Sequence, residues 1–518
     1  MISENVRISN ASDAPSPRVA HPPDRTRLLL IDCTRALDPE SRKVYDVHHP
    51  PVGLMSLAAY VRESRLGPAV DIAILDSTID YTTLDELRAL MEGFAPDIVG
   101  LRCLHLHTDQ FHTITRMAKE LASPALTIGG GPYASAAPIQ TLEKDPWLDL
   151  VVVGEGEATL VDLLEAFQAG RDLTAVPGVH YRELGTVRTS AARALITDLD
   201  TIPHPDWRSI DLRRYENLLG QAPVRRRLAP VMTTRGCPYR CTYCHELFQK
   251  RFRVRSAQHL VEELKLLADL GVEDISIIDD IFNLYPERVI EIFNLIIREN
   301  LKFRFYYPNG LRGDRMTHEV IDAMVEGGSV LFTYALESGS KRIQHYMKKL
   351  LHFEPFYDAV DYTIRKGVMV DMFLMVGFPT ETEEEARKTI DFVMQWDEIC
   401  FPYLNVLNFF PGTEVYDDAM AAGHALEIAD TLGGAHQLAG IDVEMIRAIK
   451  VDFLRNYFLR RSRLEKVIPI QRKYLREDEL LEKYKAYLPM NLARVETVDE
   501  LVARIAIDRD PPKRPWTP

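Results

Sequence analysis

Short apolar runs alternate with amphipathic stretches from Arg27 to Phe167, and this regular order constrains the fold more than any other feature of the chain. Continuous apolar runs suit strands that are buried on both faces, as in a parallel sheet covered by helices. The pattern therefore predicts an α/β fold with a doubly wound, Rossmann-like sheet, whose ligand site lies beyond the carboxyl ends of its strands. The predicted strands are Leu28–Asp32, Val70–Asp76, Asp97–Leu101, Ala125–Ile128 and Leu148–Val153.

A second alternation of strands and helices follows a stretch that contains Pro203, Pro205 and the basic run Arg225–Arg227. Its strand–helix repeats predict a partial (β/α)6 TIM barrel, in which the active site lies at the carboxyl ends of the strands. Polar residues and glycines follow these strands in the strings DD, NGLR, ESGS, GFPTE and PGTE. The predicted strands are Pro230–Thr234, Asp274–Ile278, Phe303–Tyr307, Val330–Leu336, Val370–Val376 and Tyr403–Asn408.

Three cysteines lie in one short segment directly after the first strand of this second series. Cys237, Cys241 and Cys244 follow the pattern C-x3-C-x2-C in the string RGCPYRCTYC. Three such thiolates can bind three irons of a [4Fe–4S] cluster, which is a cysteine-ligated cofactor. The fourth iron then has no nearby cysteine and stays open to a substrate or cosubstrate. The spacing favours such an open cluster.

A zinc site is the alternative interpretation of the same cysteines. His245 follows Cys244 directly and would be the further ligand, but zinc ligands usually come in separated pairs around a tetrahedron. His105, His107 and His112 offer a second conceivable metal site, because residues two apart on a strand face the same side. Histidines near a strand end are more often ordinary polar residues, so this second site is the weaker hypothesis.

The composition limits the partners and the compartment. The 518 residues carry a formal net charge of −14, whereas proteins that bind nucleic acids usually present a basic surface. We therefore expect a small-molecule substrate and no nucleic-acid partner. No apolar run reaches the roughly 18 residues of a membrane span, and the polar, Pro-rich amino terminus lacks the apolar core of a signal peptide. These features predict a cytoplasmic protein.

Motifs in both halves of the chain resemble those of one known family. The strings PPVGLMSLAAYV, PDIVGL, GGGPYAS and VVVGEGEATL occur in the first half. The strings CPYRCTYC, IIDDIF, NGLR, ALESGS, GFPTET and FFPGTEVY follow in the second half. In their order and spacing they resemble the class B radical S-adenosylmethionine (SAM) enzymes, in which a cobalamin-binding domain precedes the radical SAM domain. The resemblance covers residues 26–185 and 229–415.

This resemblance implies roles for individual residues of the second half. Cys237, Cys241 and Cys244 are the expected cluster ligands, and the amino and carboxylate groups of SAM would bind the open iron. Tyr243 is expected near the adenine and Glu337 at the ribose. All the residues expected to contact SAM are Tyr243, Asp279, Asp280, Asn309, Arg312, Glu337, Gly377 and Phe378.

The resemblance also implies cobalamin as a cofactor of the first half. No D-x-H-x-x-G string supplies a histidine ligand, and enzymes of this branch generally bind the vitamin without one. Two glycine-rich turns at successive strand ends let a large ligand approach the backbone closely. Some proteins of this architecture keep the domain without using cobalamin, so that alternative stays open. The candidate contacts are Gly53, Leu54, Thr108, Gly130, Gly131, Pro132, Gly154 and Glu155.

The chain is predicted to divide into five regions. They are a disordered tail (1–25), a cobalamin-binding-like Rossmann domain (26–185), a linker (186–228), a radical SAM partial barrel (229–415) and a helical region with a disordered tail (416–518). In the last region Ile446–Phe458 and Glu477–Tyr487 have the amphipathic period of helices. We expect these helices to cover the mouth of the barrel and to shape the substrate pocket.

The predicted function is that of a radical SAM enzyme, in which the cofactors carry the difficult step and the protein orients them. A reduced cluster would cleave SAM to a 5′-deoxyadenosyl radical. The favoured reaction is cobalamin-dependent methylation of an unactivated carbon or phosphorus of a small specialised metabolite. The rivals are a cobalamin-independent dehydration, cyclisation or transfer of another SAM fragment, and a non-catalytic cobalamin-binding protein. An electron donor such as flavodoxin or ferredoxin is the expected partner, and no catalytic acid or base stands out.

Overall fold

Two α/β units make up the described part of the protein. The computed structural model describes residues 25–34, 49–216, 224–422, 443–488, 491–508 and 516. The first unit ends at Ile196, and the main part of the second begins at Thr197. Each unit is built on a sheet that contains a run of parallel strands. The α/β class expected from the sequence is therefore confirmed, whereas the tails predicted at the two chain ends lie outside the described residues, apart from Arg25 and Trp516.

The first unit is a seven-stranded sheet. Its strands are β1 (Thr26–Asp32), β2 (Val70–Asp76), β3 (Ile98–Arg102), β4 (Leu126–Gly130), β5 (Leu150–Val152), β6 (Val179–Glu183) and β7 (Thr186–Thr189). Its helices are α1 (Val52–Glu63), α2 (Leu84–Phe94), α3 (Thr108–Lys119), α4 (Gly131–Ala136), α5 (Pro138–Lys144) and α6 (Glu157–Gln168). The strand order is β2-β1-β3-β4-β5-β6-β7, and β2 to β5 are parallel.

Strand β1 shows why the predicted runs are continuously apolar. Leu29 and Ile31 pack into one hydrophobic core, while Leu28 and Leu30 pack into another. Successive side chains of a strand point to opposite faces, so both faces of this sheet are covered. The strand order reverses its direction between β1 and β3, and ligands of such sheets bind at the carboxyl ends of the strands near that reversal.

An antiparallel hairpin extends this sheet beyond the predicted strands. Strands β6 and β7 pair with each other, and β6 pairs antiparallel with β5. Strand β7 falls inside the stretch predicted to be a linker. Its residues are mostly exposed and polar, as an edge strand allows, so its sequence lacks the apolar run that marks a buried strand.

The second unit carries a six-stranded parallel sheet of order β15-β14-β13-β12-β11-β8, and a separate pair formed by β9 and β10. The strands are β8 (Leu228–Val231), β9 (Thr234–Arg235), β10 (Arg253–Val254), β11 (Asp274–Ile277), β12 (Arg304–Tyr306), β13 (Ser329–Glu337), β14 (Met369–Val376) and β15 (Pro402–Val406). The helices between them are α7 (Ala257–Asp269), α8 (Pro286–Arg298), α9 (His318–Glu326), α10 (Lys341–Tyr346), α11 (Phe353–Arg365) and α12 (Glu383–Val393). The predicted partial barrel is confirmed.

Helices α13 (Glu414–Ala421), α14 (Val443–Phe453), α15 (Arg461–Gln471), α16 (Glu477–Tyr487) and α17 (Val498–Ile505) complete the second unit. The predicted helix over Glu477–Tyr487 is confirmed. The predicted helix over Ile446–Phe458 corresponds to α14 and a π-helical turn, Leu454–Phe458, that follows it. Within the described residues, no helix has the length and apolar character needed to cross a bilayer.

Helices α15 and α16 contact the base of the barrel, so the expectation that the carboxy-terminal helices cover its mouth was wrong for these two. Lys483 donates to the Asp371 carboxylate at 3.1 Å near the start of β14, and the hydroxyl of Tyr487 donates to the carbonyl of Pro402 at 2.9 Å. The buried Arg463 donates to backbone carbonyls that directly precede β15. All of these contacts lie at the amino ends of the strands, opposite the edge where barrel active sites form. An amphipathic period reveals that a helix has a buried face but not which surface that face meets.

Candidate active site

The cysteine segment forms a hairpin that follows β8. Strands β9 and β10 pair antiparallel and bracket it, and we call residues 234–254 the cysteine hairpin. Gly236 has φ +82°, and a Cβ atom there would lie 2.3 Å from the carbonyl oxygen of Arg251. Only glycine permits so close an approach of two backbone segments in this left-handed conformation. Within the hairpin the amide of Cys244 donates to the carbonyl of Cys241 at 3.1 Å, which turns the chain between these two cysteines.

The three thiols of the hairpin are electrostatic neighbours. Burial raises the pKa of Cys244 to about 12 against the opposing charge of Lys250, and Cys241 and Cys237 add to the rise. Burial also raises the pKa of Cys237, and Cys241 contributes there too. A bound metal removes such protons, because a coordinating thiol is deprotonated outright.

A cluster and a zinc ion need different arrangements of these thiols. Each thiolate of a [4Fe–4S] cluster bonds its own iron, whereas the ligands of zinc surround a single point. In the described part of the chain, no three His, Cys, Asp or Glu side chains are grouped so that they could hold a metal ion.

The carboxylate of Asp279 fixes the start of the cysteine hairpin. It accepts hydrogen bonds from the amide of Thr233 at 2.5 Å, the Thr233 hydroxyl at 2.5 Å and the amide of Thr234 at 3.1 Å. Burial raises its pKa to about 6, which the bonds from Thr233 and the charge of Arg288 oppose. Both of its oxygens are thus engaged by protein. The neighbouring Asp280 is less buried and lies 3.4 Å from Nε2 of His245 on the hairpin, and the expected contacts of both aspartates with SAM stay predictions.

Glu337 lies at the end of β13 with a buried lysine and a buried tyrosine. The ammonium of Lys349 donates to its Oε1 at 3.0 Å, and both side chains are almost fully buried. The phenol of Tyr243, on the cysteine hairpin, is an electrostatic neighbour of Glu337. Burial and the charge of Glu337 raise the pKa of this phenol. The predicted cluster loop and the predicted ribose contact thus meet in one network.

Arg312 and Asn309 support the backbone of the barrel rim. Arg312 donates to the carbonyls of Lys349 at 2.9 Å and Leu350 at 3.1 Å, and it pairs with Asp314 at 2.8 Å. The amide nitrogen of Asn309 donates to the carbonyl of Ile278 at 2.8 Å, at the end of β11. Both side chains therefore act on neighbouring protein groups in this structure, and their expected contacts with SAM stay predictions.

Gly377 and Phe378 form a turn that Glu381 caps. Oε2 of Glu381 accepts from the amides of Gly377 at 2.6 Å and Phe378 at 3.2 Å. Burial raises the pKa of Glu381 to about 7, against these two bonds. The ring of Phe378 lies 6.1 Å from that of Tyr243, edge to face, inside a small hydrophobic cluster that also contains Ile343. The residues predicted to shape the adenine pocket are thus in contact with the cysteine hairpin.

In the first unit, the predicted glycine-rich turns lie at the carboxyl ends of β4 and β5. Gly130 ends β4 and is extended, and a Cβ atom there would meet nothing closer than the carbonyl oxygen of Val152 at 3.9 Å. Gly131 has φ +75° and packs on the side chain of Arg102. Gly154 also has a positive φ, of +79°. A cradle that leaves open space at Gly130 fits a bulky planar ligand.

The other residues predicted to contact cobalamin have varied surroundings. Thr108 begins α3, and Pro132 lies in the first turn of α4. Gly53 is exposed with open space around it, whereas Leu54 is buried in a hydrophobic core. Glu155 is buried and accepts from the amide of Ile196 at 2.9 Å. Their roles remain predictions.

The metal site imagined at the three histidines is not formed. His105–His107 is a 3-10 turn rather than a strand, so the expected alternation of side chains does not apply. The two ring nitrogens of His112 contact the Asp145 carboxylate at 2.8 Å and the Tyr133 hydroxyl at 3.1 Å. The hypothesis was wrong because the strand preceding these histidines ends at Arg102.

Two residues of the site were missed by sequence reasoning. Glu381 is part of the GFPTET motif. Its position four residues after Gly377 is a signal that could have identified it as the acceptor for the amides of this turn. Lys349 follows Lys348 directly, but Lys348 is half-exposed and pairs with Glu414, whereas Lys349 is buried. Nothing in the order of the residues separates these two lysines.

Comparisons with known proteins assign the two units. The Radical SAM superfamily model matches residues 231–393, and the B12 binding domain model matches residues 42–164. An uncharacterized methyltransferase of Pyrococcus horikoshii is 32% identical over 383 residues, which are 73% of this chain and 80% of that protein. This chain belongs to the class B radical SAM enzymes. The predicted family, enzyme class and cofactors, namely a [4Fe–4S] cluster, SAM and cobalamin, are thereby confirmed for this radical SAM enzyme.

Two further proteins extend the comparison of this class B enzyme. The cytidylyl-2-hydroxyethylphosphonate methyltransferase of Streptomyces wedmorensis is 28% identical over 343 residues, which are 60% of this chain and 64% of that protein. The radical SAM methyltransferase TsrM of Kitasatospora setae, solved with cobalamin and a [4Fe–4S] cluster, superposes with a TM-score of 0.63. It is 19% identical, and the match covers 77% of this chain and 75% of TsrM. At that identity the likeness to TsrM shows the shared fold.

Proposed function

We propose that this enzyme methylates an unactivated carbon or phosphorus atom of a small specialised metabolite, with cobalamin as the methyl carrier. The observation that carries the proposal is a three-thiol hairpin beside a radical SAM barrel in a chain that also has a B12-binding domain. Two relatives of the chain are named methyltransferases, one of them for a phosphonate. The alternatives without cobalamin or without catalysis are not favoured, because both domains are present.

The residues of the barrel would bind and shield the reacting groups. When bound, the cofactors supply one-electron cleavage of SAM to a 5′-deoxyadenosyl radical, and cobalamin supplies the methyl group. The three cysteines hold the cluster, and Asp279 fixes the backbone from which their loop departs. Tyr243 and Phe378 form an apolar wall that excludes water from the adenine side. Asp280 meets the amine of SAM and Glu337 its ribose.

Methyl transfer and radical formation are tested together with methyl-deuterated SAM. The anaerobically reconstituted enzyme receives cobalamin, reductant and small candidate acceptors, including a phosphonate. We expect 5′-deoxyadenosine, S-adenosylhomocysteine and a deuterated product. Replacing Cys237, Cys241 and Cys244 with alanine should abolish 5′-deoxyadenosine, whereas Cys400→Ala, a buried thiol elsewhere in the same unit, should not. Formation of 5′-deoxyadenosine with no S-adenosylhomocysteine and no methylated cobalamin would contradict the proposal and favour the cobalamin-independent alternative.

The electron donor is proposed to be an acidic protein such as flavodoxin or ferredoxin. The cysteine hairpin carries Arg240, Lys250 and Arg251 among its basic residues in a chain whose net charge is −14. Opposite charges raise the rate of association, and salt screens this effect. Exchanging the exposed Arg240 and Arg251 for glutamate should slow reduction by flavodoxin at low salt by about tenfold. Reduction by dithionite is the control and should be unchanged. We further propose a cytoplasmic location, where an oxygen-sensitive cluster finds a reducing environment.

A further inference from the structure

The backbone of Glu337 is held in an unfavourable conformation. Its φ is +65°, in the left-handed region that side chains other than glycine rarely adopt, and the register between β13 and β14 shifts between Ala335 and Glu337. Such conformations persist only where the surroundings impose them, and they concentrate at functional sites. The shift turns the side chain of Glu337 out of the regular alternation of the strand.

Lys349 is the buried cation that meets this carboxylate. Its Nζ lies 3.0 Å from Oε1 of Glu337, and each residue is only 7% exposed. Burying an ion pair costs desolvation of both charges, so such a pair is weak evidence for a stability role. Orientation of one of the two charges is the role that such a pair can have instead.

The position of Lys349 is set from the cysteine hairpin. Arg312 donates to the carbonyl of Lys349 at 2.9 Å, and its guanidinium lies 3.8 Å from the ring centre of Tyr239, a hairpin residue. Tyr243 of the same hairpin is an electrostatic neighbour of Glu337. The carboxylate is therefore held by the ammonium of Lys349, whose backbone is tied to the cysteine hairpin through Arg312.

A carboxylate aligned in this way retains accepting capacity. Two carboxylate oxygens offer about four lone-pair sites, and the bond from Lys349 uses only part of them. Two adjacent hydroxyl groups are the donors that match the remaining sites. This is the chemistry of the ribose diol of a nucleoside.

We propose that Lys349 is a positioning residue that keeps the carboxylate of Glu337 turned toward the ribose diol of SAM. The inference rests on the proposed ribose role of Glu337 and adds the residue that makes this role effective. Lys349 itself contacts the carboxylate and not the sugar.

The test compares SAM with its 2′-deoxy and 3′-deoxy analogues in binding to the reconstituted enzyme. We expect the wild type and Lys348→Met, the half-exposed neighbouring control, to bind SAM about tenfold more tightly than either analogue. Lys349→Met should bind SAM about tenfold more weakly than the wild type and should no longer distinguish the analogues. Equilibrium dialysis gives the dissociation constants, and the electron paramagnetic resonance signal of the reduced cluster reports SAM at the open iron.

A double variant separates positioning from simple misfolding. Lys349→Met leaves a buried carboxylate without its cation, which can destabilise the unit, whereas Lys349→Met with Glu337→Gln leaves no unpaired charge. We expect the double variant to recover iron content and melting temperature but not discrimination of the deoxy analogues. The inference is overturned if Lys349→Met retains the discrimination, or if the double variant regains it. Binding is measured without turnover, so a failure to find methyl transfer would refute the proposed reaction and leave this result standing.

Discussion

The guanidinium of Arg312 stacks on the ring of Tyr239, with 3.8 Å between the guanidinium carbon and the ring centre. The same guanidinium donates to two successive backbone carbonyls, of Lys349 and Leu350. One side chain thereby joins the loop after β12, the loop after α10 and the cysteine hairpin. Sequence reasoning predicted Arg312 at the rim, and the structure shows it bound to protein groups there.

Arg312→Lys should weaken SAM binding by about tenfold, because a lysine cannot stack and donate to two carbonyls at once. Equilibrium dialysis on the reconstituted enzyme measures this change. Arg315→Lys is the matched control, since Arg315 is exposed and its guanidinium donates to the hydroxyl of Tyr239, at 3.3 Å. Equal dissociation constants for the two variants would contradict the bridging role of Arg312.

Gly236→Ala should abolish most cluster incorporation. The new Cβ atom would lie 2.3 Å from the carbonyl oxygen of Arg251, so the cysteine hairpin cannot close. Gly170→Ala controls for backbone strain alone, because Gly170 also has a positive φ but open space around it. Iron and sulfide analysis after anaerobic reconstitution checks the difference. Full iron content in Gly236→Ala would show that the hairpin tolerates an open form.

Gly130→Ala should lower cobalamin affinity without lowering stability. A Cβ atom fits the protein there, so we expect a change below about 0.5 kcal/mol in the free energy of unfolding. It would occupy space at the ligand edge of the sheet, where a corrin must approach. Corrin absorbance after desalting measures retention, with Gly93→Ala, an exposed glycine in α2, as the control. Unchanged retention would remove Gly130 from the cobalamin site.

Glu381 should make the stability of the barrel depend on pH. Its folded-state pKa, about 7, lies above the ordinary value of 4.5, so the stabilisation is complete at low pH and is lost as the pH rises through 7. Glu381→Gln keeps an acceptor for the Gly377 and Phe378 amides and does not ionise. Between about pH 5 and about pH 8 the wild type should lose about 3 kcal/mol relative to this variant. Melting temperatures across that range check it, and parallel curves for the two proteins would refute it.

Arg463→Met should destabilise the second unit while leaving SAM binding intact. Arg463 is fully buried and donates to the carbonyls of Phe458, Ile399 and Cys400, which would lose their partner at a cost of at least about 3 kcal/mol. These contacts lie at the base of the barrel. A lower melting temperature with an unchanged dissociation constant for SAM at low temperature is the expected pair of results. A weakened SAM affinity in the folded variant would contradict a purely structural role of α15 at the base of the barrel.

The sequence predicted those parts of the fold in which burial is uniform. The strand Ser329–Glu337 is buried along almost its whole length and mostly apolar, and its limits were predicted to within one residue. The edge strand Thr186–Thr189 was not found, because exposure removes the apolar signal. The surface met by α16 could not be predicted, since it depends on the distant Asp371.

Within the site, the cysteines could be predicted from their spacing, whereas the residues that hold the surrounding backbone and side chains in place could not. The cysteine motif lies in one loop, so its chemistry is visible in ten consecutive letters. The motif of Asp279 predicted that this residue lies near the site. Its hydrogen bonds with Thr233 could not be predicted, because they join two segments that are far apart in the sequence. Lys348 and Lys349 differ only in burial: Lys348 is half-exposed and Lys349 is buried. This difference is set by the path of the loop after α10, which the sequence does not reveal.

The close backbone contact between Gly236 and Arg251 holds together the two ends of the cysteine hairpin. Because main chain meets main chain there, this one contact does not depend on which side chains line the rest of the rim. Rim residues that select the methyl acceptor can therefore be substituted without changing this backbone contact beside the cluster-binding cysteines.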